Sequence, residues 1–415
     1  MLRILEGELA APGACVALLL IELNDVPRFQ AQLGFAGSGE LLDSLHEICM
    51  EVLGARGHVV RMGEGRVCGV VRALRNRGHA MLAGEKLVRC ADDLFGSAGM
   101  TVKPRVRIGI ALQTPEQADA NTLLRQAQLA AEASRRRAAR VVVFDESCNA
   151  EVLATWALGN EFAQALDAGE LSVHYQPKIS LHTGRPAGAE ALLRWLREGK
   201  PVAPPDVFIP LASDAGLMQA TTWYALSNAL RVSLDCGGLA VAVNVTPDML
   251  HHREFPDMIY TAISSWKIEP SRLTLEITES ALIADIATAT ARLSRFRDLG
   301  LRISIDDFGT GYSSLSYFKK IPADELKVDK SFVKGMTHDD DDHRLVRTIV
   351  DLAHHFKLAV VAEGVEDRAT FDALARLGCD QVQGFLFSPA LGADKLKTWL
   401  AAHDRDLREP APTAG

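Results

Sequence analysis

Arg302-Ile303-Ser304-Ile305-Asp306-Asp307-Phe308-Gly309 is the stretch from which the fold can be read. Apolar alternation predicts a strand over Arg302–Asp306. It ends in two adjacent carboxylates, and Gly309 and Gly311 then supply the backbone freedom for a sharp turn into a loop over the strand end. The same unit recurs on both sides. Further strands are predicted at Leu171–Ile179, Gly188–Trp195, Leu239–Val245, Leu273–Thr278, Glu325–Asp329, Ala359–Glu363 and Gln381–Phe387, with helical stretches between them. Eight strands at roughly 30 residues per unit match the rhythm of a (β/α)8 barrel. An open doubly wound sheet is the competing fold. Barrel enzymes gather polar residues at the C-terminal ends of many different strands, and here nearly every strand ends in one.

The 415 residues are too many for one ordinary core, so two domains are expected. Residues 1–150 read as a separate small α/β unit, 151–167 as a linker helix leading to Gly169, 151–408 as the barrel domain, and 409–415 as a flexible Pro/Ala-rich tail. With 48% hydrophobic and 24% charged residues, the composition is that of a globular protein. The longest apolar run, Ala14–Leu23, is far shorter than the roughly 20 residues a membrane helix needs, so it reads as a buried strand. No export signal precedes it, which places the protein in the cytoplasm and away from membranes. Seven scattered cysteines without a C-x-x-C pair argue against disulfides and thiolate zinc sites. A net charge of −8 argues against duplex nucleic acid as a partner, and the basic run Arg135, Arg136, Arg137 and Arg140 reads as a solvated helix face.

The chemistry lies in the strand ends. Period two puts Glu190, Leu192 and Arg194 on one face, pairs Glu276 with Thr278, and pairs Lys327 with Asp329. Asn244, Asp306, Asp307 and Glu363 lie near the ends of further strands. Five carboxylates, Glu190, Glu276, Asp306, Asp307 and Glu363, then converge on one mouth. Such a cluster needs counter-charge. All-oxygen ligands, with the Asn244 amide among them, favour Mg²⁺ or Mn²⁺, and the adjacent pair Asp306-Asp307 points to two ions. Asp339–Asp342 read instead as a helix start.

Over residues 155–405 the chain resembles the EAL-domain phosphodiesterases. The resemblance is carried by Tyr175-Gln176-Pro177, Glu190-Ala191-Leu192-Leu193-Arg194-Trp195, Asn244-Val245, Glu276-Ile277-Thr278-Glu279, Asp306-Asp307-Phe308-Gly309, Leu326-Lys327-Val328-Asp329, Ala362-Glu363-Gly364-Val365-Glu366 and Gln383-Gly384-Phe385. It implies a modified TIM-like barrel, the EAL fold, with its first strand antiparallel. It also implies hydrolysis of cyclic di-GMP to linear pGpG, two Mg²⁺ or Mn²⁺ ions, and a homodimer formed through the barrel domain. Carried over by the resemblance, Glu190, Asn244, Glu276 and Asp306 are ligands of the first ion, with Asp306, Asp307 and Glu363 around the second. Lys327 and Glu363 carry the chemistry. Gln176, Glu190, Leu192, Arg194, Asn244, Asp307, Lys327 and Gln383 contact substrate, while Glu279 and Glu366 anchor the loop after Asp307.

The N-terminal unit resembles the GGDEF, nucleotidyl-cyclase-like fold in degenerate form. Its signature turn reads Gly63-Glu64-Gly65-Arg66-Val67, so glycine and arginine stand where that family has acidic residues. Glu22 falls at the first-strand metal position, and Gln30 and Ala31 fall where guanine would be read. This implies a regulatory or dimerising module, with an unidentified regulatory protein as a further partner. The alternatives to an enzyme are a catalytically silent cyclic di-GMP receptor and a protein-interaction regulator. Receptors of that kind lose metal ligands or the lysine, and none is lost here.

Overall fold

A computed structural model describes residues 1–10, 16–24, 26–54, 57–63, 65–72, 76–97, 105–113, 119–137, 139–284, 286–309 and 321–406. Gly311 with the loop expected around it, the tail 409–415, Glu64, and the side chains of Gln30 and Ala31 lie outside the described residues. The chain divides into two compact units, Met1–Ala157 and Leu158–Gly415.

In the first unit, β1 (Val16–Leu23), β2 (Gly57–Gly63), β3 (Arg66–Arg72), β4 (Val106–Leu112) and β5 (Val141–Val143) form one sheet in the order β2-β3-β1-β4-β5. β1 is central and antiparallel to both neighbours. Its run Val-Ala-Leu-Leu-Leu-Ile is apolar on both faces because both are covered, and period two splits it between two cores. Leu19 and Ile21 join Leu45, Leu87 and Phe95 on one side, while Leu18 and Leu20 join Leu5, Leu123 and Ala127 on the other. The short helix Leu2–Leu9, not predicted from the sequence, supplies Leu5 to that second face.

The second unit contains β6 (Leu171–Ser180), β7 (Pro186–Arg197), β8 (Lys200–Ala203), β9 (Val241–Val245), β10 (Leu273–Thr278), β11 (Arg302–Phe308), β12 (Glu325–Val328), β13 (Ala359–Ala362), β14 (Gln381–Val382) and β15 (Leu391–Gly392). Strands β6, β14, β13, β12, β11, β10, β9 and β7 follow one another, and the β6–β7 pairing closes them into an eight-stranded barrel. β6 is antiparallel to both of its barrel neighbours; the rest run parallel. The closed barrel thus prevails over the open sheet, with the antiparallel first strand that the resemblance implied. β8 and β15 are additions outside the ring, pairing with β7 and β6.

One expected strand needs correction. Gln381–Phe387 forms a ladder only over Gln381–Val382, after which the chain turns, with the Phe387 and Ser388 amides donating to the Gly384 carbonyl. The apolar triplet Phe385-Leu386-Phe387 resembles a strand in sequence, but Gly384 packs against the backbone of Val365. A Cβ there would lie 2.0 Å from the Val365 carbonyl oxygen, so only glycine fits.

The helix Glu146–Asp167 ends ahead of Gly169, which takes φ +71° as a C-terminal glycine should. Phe162 from this helix stacks on Phe208 and meets Trp195 edge-on, at 5.5 and 5.3 Å between ring centres. Burying each such ring stabilises the packing by roughly 1.5–3 kcal/mol. The aspartate run does start a helix: the Asp339 carboxylate caps Asp340–His355 by accepting from the Asp341 and Asp342 amides.

Candidate active site

Strand register brings the expected residues together. The β6–β7 pairing sets Gln176 opposite Glu190, and β9–β10 sets Asn244 beside Glu276. Side chains of alternate residues share a face, so Asp306 stands one layer nearer the C-terminal mouth than Ser304, and Lys327 one layer nearer than Glu325. At this end Glu190 accepts from the Asn244 and Gln383 amides, both at 2.7 Å. Gln383 also donates to Gln176 at 3.0 Å, and Gln176 donates to the Ser388 carbonyl at 3.2 Å. The Lys327 ammonium lies among four carboxylates, at 2.5 Å from Glu363, 3.0 Å from Glu276, 3.1 Å from Asp306 and 3.4 Å from Glu190. It is 1% exposed, as is Glu276. A cavity of about 300 Å³ opens above them, bordered by Gln176, Leu192, Gln383, Lys330 and the ring of Phe385.

The charges do not balance. Glu190, Glu276, Asp306, Glu325 and Glu363 face two buried ammonium groups, Lys327 and Lys178. Burial opposes ionisation of Glu190, but Lys327, Lys178 and its two amide donors outweigh burial and hold it at about 2. Burial and the neighbouring Glu190 charge push Glu276 up to about 8, and burial pushes Glu363 up to about 7. For Lys327 burial favours the neutral amine, yet the surrounding carboxylates keep it protonated far above neutrality. Without another cation the cluster therefore retains protons near pH 7, as a set rather than on one fixed oxygen.

Two expectations follow. Carboxyls whose folded pKa exceeds the ordinary 4.5 bind more protons folded than unfolded, so they cost stability as pH rises through that window. Thermal melts of the metal-free protein should show stability falling between about pH 5 and pH 8; a rise across that range would contradict the assignment. Mn²⁺ binding at pH 7 should expel protons, which calorimetry in buffers of different ionisation enthalpy detects.

The donor set suits hard divalent cations: oxygen ligands only, in charge excess, on separate strands. Among the described residues no three acidic, histidine or cysteine side chains already surround a common point at ligating spacing, and the Lys327 ammonium stands among the carboxylates instead.

With this geometry in view, comparison with known proteins is decisive. The EAL domain family model matches residues 159–390, more than half of the chain. The chain belongs to the EAL-domain family. Residues 3–140 match the diguanylate cyclase GGDEF domain model. Among curated relatives, the bifunctional diguanylate cyclase/cyclic di-GMP phosphodiesterase MucR of Pseudomonas aeruginosa is 34% identical over 387 residues, covering 92% of this chain and 56% of MucR. The cyclic di-GMP phosphodiesterase NbdA of the same organism is 31% identical over 406 residues, covering 96% of this chain and 52% of NbdA. The chain thus spans about half the length of these relatives. Among solved structures, the PaMucR phosphodiesterase in complex with c-di-GMP is 40% identical with a TM-score of 0.55, covering 57% of this chain and 98% of that one. An EAL domain protein from Listeria monocytogenes EGD-e is 28% identical with a TM-score of 0.52, covering 59% and 97%.

Not every residue of the EAL motifs enters the cavity. Asp329 accepts from the Ser331 amide and caps the helix Lys330–Gly335, and the Thr278 hydroxyl meets Ser280. Asp329 falls one residue past the end of β12, and Thr278 is the last residue of β10, in register with Asp306. Arg194 is half-buried and donates to the Leu193 carbonyl at 3.0 Å. Asp307 carries a positive φ of 55°, a strained backbone for a residue with a side chain, and burial with the neighbouring Asp306 charge raises its carboxyl above the ordinary value. Glu279 accepts from the Gly309 amide at 3.2 Å, while Glu366 pairs with Lys334 at 2.7 Å.

Two buried partners escaped sequence reading. Lys178 and Glu325 lie one layer below the mouth, and the signal was present: each is two residues from a site residue on the same strand, Gln176 and Lys327 respectively.

In the GGDEF domain, the arginine in the signature turn has a structural role. Arg66 donates to Glu22 at 3.0 Å and Arg135 donates to the other oxygen of Glu22 at 2.8 Å. Two guanidinium groups thus neutralise the carboxylate at the expected metal position. Within the basic run, Arg137 binds Glu151 at 2.8 Å and Arg140 binds Asp92 at 2.5 Å, while Arg135 and Arg137 remain exposed to solvent. Among the described residues no helix is long and apolar enough to cross a membrane.

Proposed function

We propose that the EAL domain hydrolyses cyclic di-GMP to linear pGpG at the mouth of the barrel, with Mg²⁺ or Mn²⁺ held by Glu190, Asn244, Glu276, Asp306, Asp307 and Glu363. The observation that supports this most directly is the buried excess of carboxylates over ammonium groups around Lys327. Bound there, divalent ions lower the pKa of a water and screen phosphate charge. The chain's own groups do the rest. Glu363, 2.5 Å from the Lys327 ammonium, is the carboxylate assigned to accept the proton of the attacking water. Lys327 stays an ammonium and offsets negative charge developing on the phosphate. Gln176, Leu192 and Gln383 border the cavity and orient the substrate, and Arg194 leaves the Leu193 carbonyl to grip a phosphate. The Phe385 ring, 67% exposed at the rim, offers a face on which a purine can stack.

Incubating the purified chain with cyclic di-GMP and Mg²⁺, then separating nucleotides, tests this reading. Appearance of pGpG is expected. Tight binding of intact cyclic di-GMP without product would make the protein a receptor instead, and neither binding nor product would remove cyclic di-GMP as its ligand.

The GGDEF domain serves regulation or dimerisation in this reading and makes no cyclic di-GMP. Full-length protein given GTP and Mg²⁺ should yield none, because guanidinium groups of Arg66 and Arg135 stand at Glu22 and repel a metal there. Synthesis of cyclic di-GMP would overturn this assignment.

A further inference from the structure

The barrel interior holds a charged layer beneath the site that none of the expected roles uses. Lys178 is buried, and its ammonium donates to Glu276 Oε1 at 2.7 Å and to Glu325 Oε1 at 3.0 Å. The Ser304 hydroxyl donates to the same oxygen of Glu325 at 3.0 Å. Strand directions explain why these groups meet. In register, Glu276 lies beside Ser304, and Ser304 beside Glu325, so β10, β11 and β12 contribute one rung of the barrel. β6 runs the opposite way, so Lys178, two residues beyond Gln176, lies deeper than Gln176 and reaches that rung from the other side of the closure.

Glu276 is thereby divided. Its Oε1 faces down to Lys178, and its Oε2 faces up to Lys327 and the mouth at 3.0 Å. A carboxylate held at one oxygen has little freedom to rotate about its terminal bond, and it presents the other oxygen in one direction. Glu325, itself fixed by Ser304, keeps Lys178 from swinging away.

We propose that Lys178 is a positioning residue of the EAL site, locking Glu276 so that a single oxygen, Oε2, is offered to the divalent cation, with Glu325 and Ser304 as the support of that lock. This rests on the reading of the mouth as a metal site. Outer partners that orient ligands typically change metal affinity by about 10- to 100-fold when removed. Electrostatics and positioning predict opposite signs. Deleting a buried ammonium next to a cation site would tighten cation binding if charge alone mattered, whereas loss of the lock weakens it.

Lys178→Met alone leaves Glu276 and Glu325 facing each other without their cation, so the informative variant is Lys178→Met/Glu325→Gln, which removes one charge of each sign. Full-length wild type, this double variant and Glu325→Gln alone are compared by thermal melting, Mn²⁺ titration followed by electron paramagnetic resonance, and the Mg²⁺ dependence of cyclic di-GMP cleavage. A folded double variant should bind Mn²⁺ about 10- to 100-fold more weakly than wild type. It should also bind more weakly than Glu325→Gln, which keeps the Lys178–Glu276 bond. High Mg²⁺ should restore its turnover, with KM for cyclic di-GMP within about threefold of wild type. Unchanged or tighter Mn²⁺ binding would overturn the proposal, as would a double variant that fails to fold while Glu325→Gln folds, since Lys178 would then be structural. If wild type itself bound no Mn²⁺, the metal reading would fall first and this inference with it.

Discussion

Lys327→Ala is expected to lower kcat for cyclic di-GMP by about 10²–10³-fold, the usual cost of removing one preorganised donor from developing charge. Its effect on the protein itself should be as informative. The ammonium is fully enclosed and bonded to Glu190, Glu276, Asp306 and Glu363. Removing the cation of a buried ion pair leaves uncompensated charge, which typically costs about 3–5 kcal/mol. Protonation relieves that cost, and Glu276 and Glu363 already sit at about 8 and about 7 with the lysine present. The metal-free variant should therefore be most destabilised at pH 8 and much less so at pH 6, and millimolar Mg²⁺ should recover part of the loss. Melting curves at both pH values, with and without Mg²⁺, read this directly. Substrate binding should survive, because the lysine is assigned to the charge that develops on the phosphate and not to the cations. A variant with wild-type stability at pH 8 would show that the four carboxylates do not depend on Lys327, and binding lost in proportion to rate would reassign it to holding substrate.

Glu190→Ala should abolish measurable turnover while the chain stays folded. Glu190 is held well below the ordinary carboxylate range, at about 2, and its oxygens receive Asn244, Gln383 and Lys327. Its removal takes away a proposed cation ligand and one acceptor from each of the two amides, Asn244 and Gln383. Taking one of its two acceptors from the buried Gln383 amide, which keeps Gln176, costs about 1–3 kcal/mol, and the loss of one of several crowded carboxylates offsets part of that. The net change in stability is expected to be within about 2 kcal/mol, so folded protein remains available for assay. Circular dichroism, Mn²⁺ titration and pGpG formation together check it. Turnover at the wild-type rate would exclude Glu190 as a ligand, and unfolded protein would show that the Asn244–Glu190–Gln383 bridge is needed by the barrel.

Much of this was legible in the chain. Short β-rich segments at even spacing, each ending in a polar residue, specified a parallel barrel because a strand buried on both faces must be apolar until it reaches the mouth. Glu190, Glu276 and Lys327 could be named because period two decides which face a residue takes wherever the strand is regular, and Asn244, Asp306 and Glu363 because they stand at strand ends. Where the strand ends, that rule stops. Asp329 lies just past its ladder and Thr278 is the last residue of its own, where helix capping and a local hydroxyl contact claimed them, and Gln381–Phe387 lost its strand to the close approach of Gly384 and Val365. The pairing of Lys178 with Glu276 lay beyond any local rule. The two residues are 98 positions apart, and they meet only because β6 runs antiparallel and closes the ring. Sequence pattern governs what each residue presents to its own strand's two faces; which charges then share a buried layer is decided by closure, since only the assembled barrel brings non-neighbouring strands within hydrogen-bonding distance.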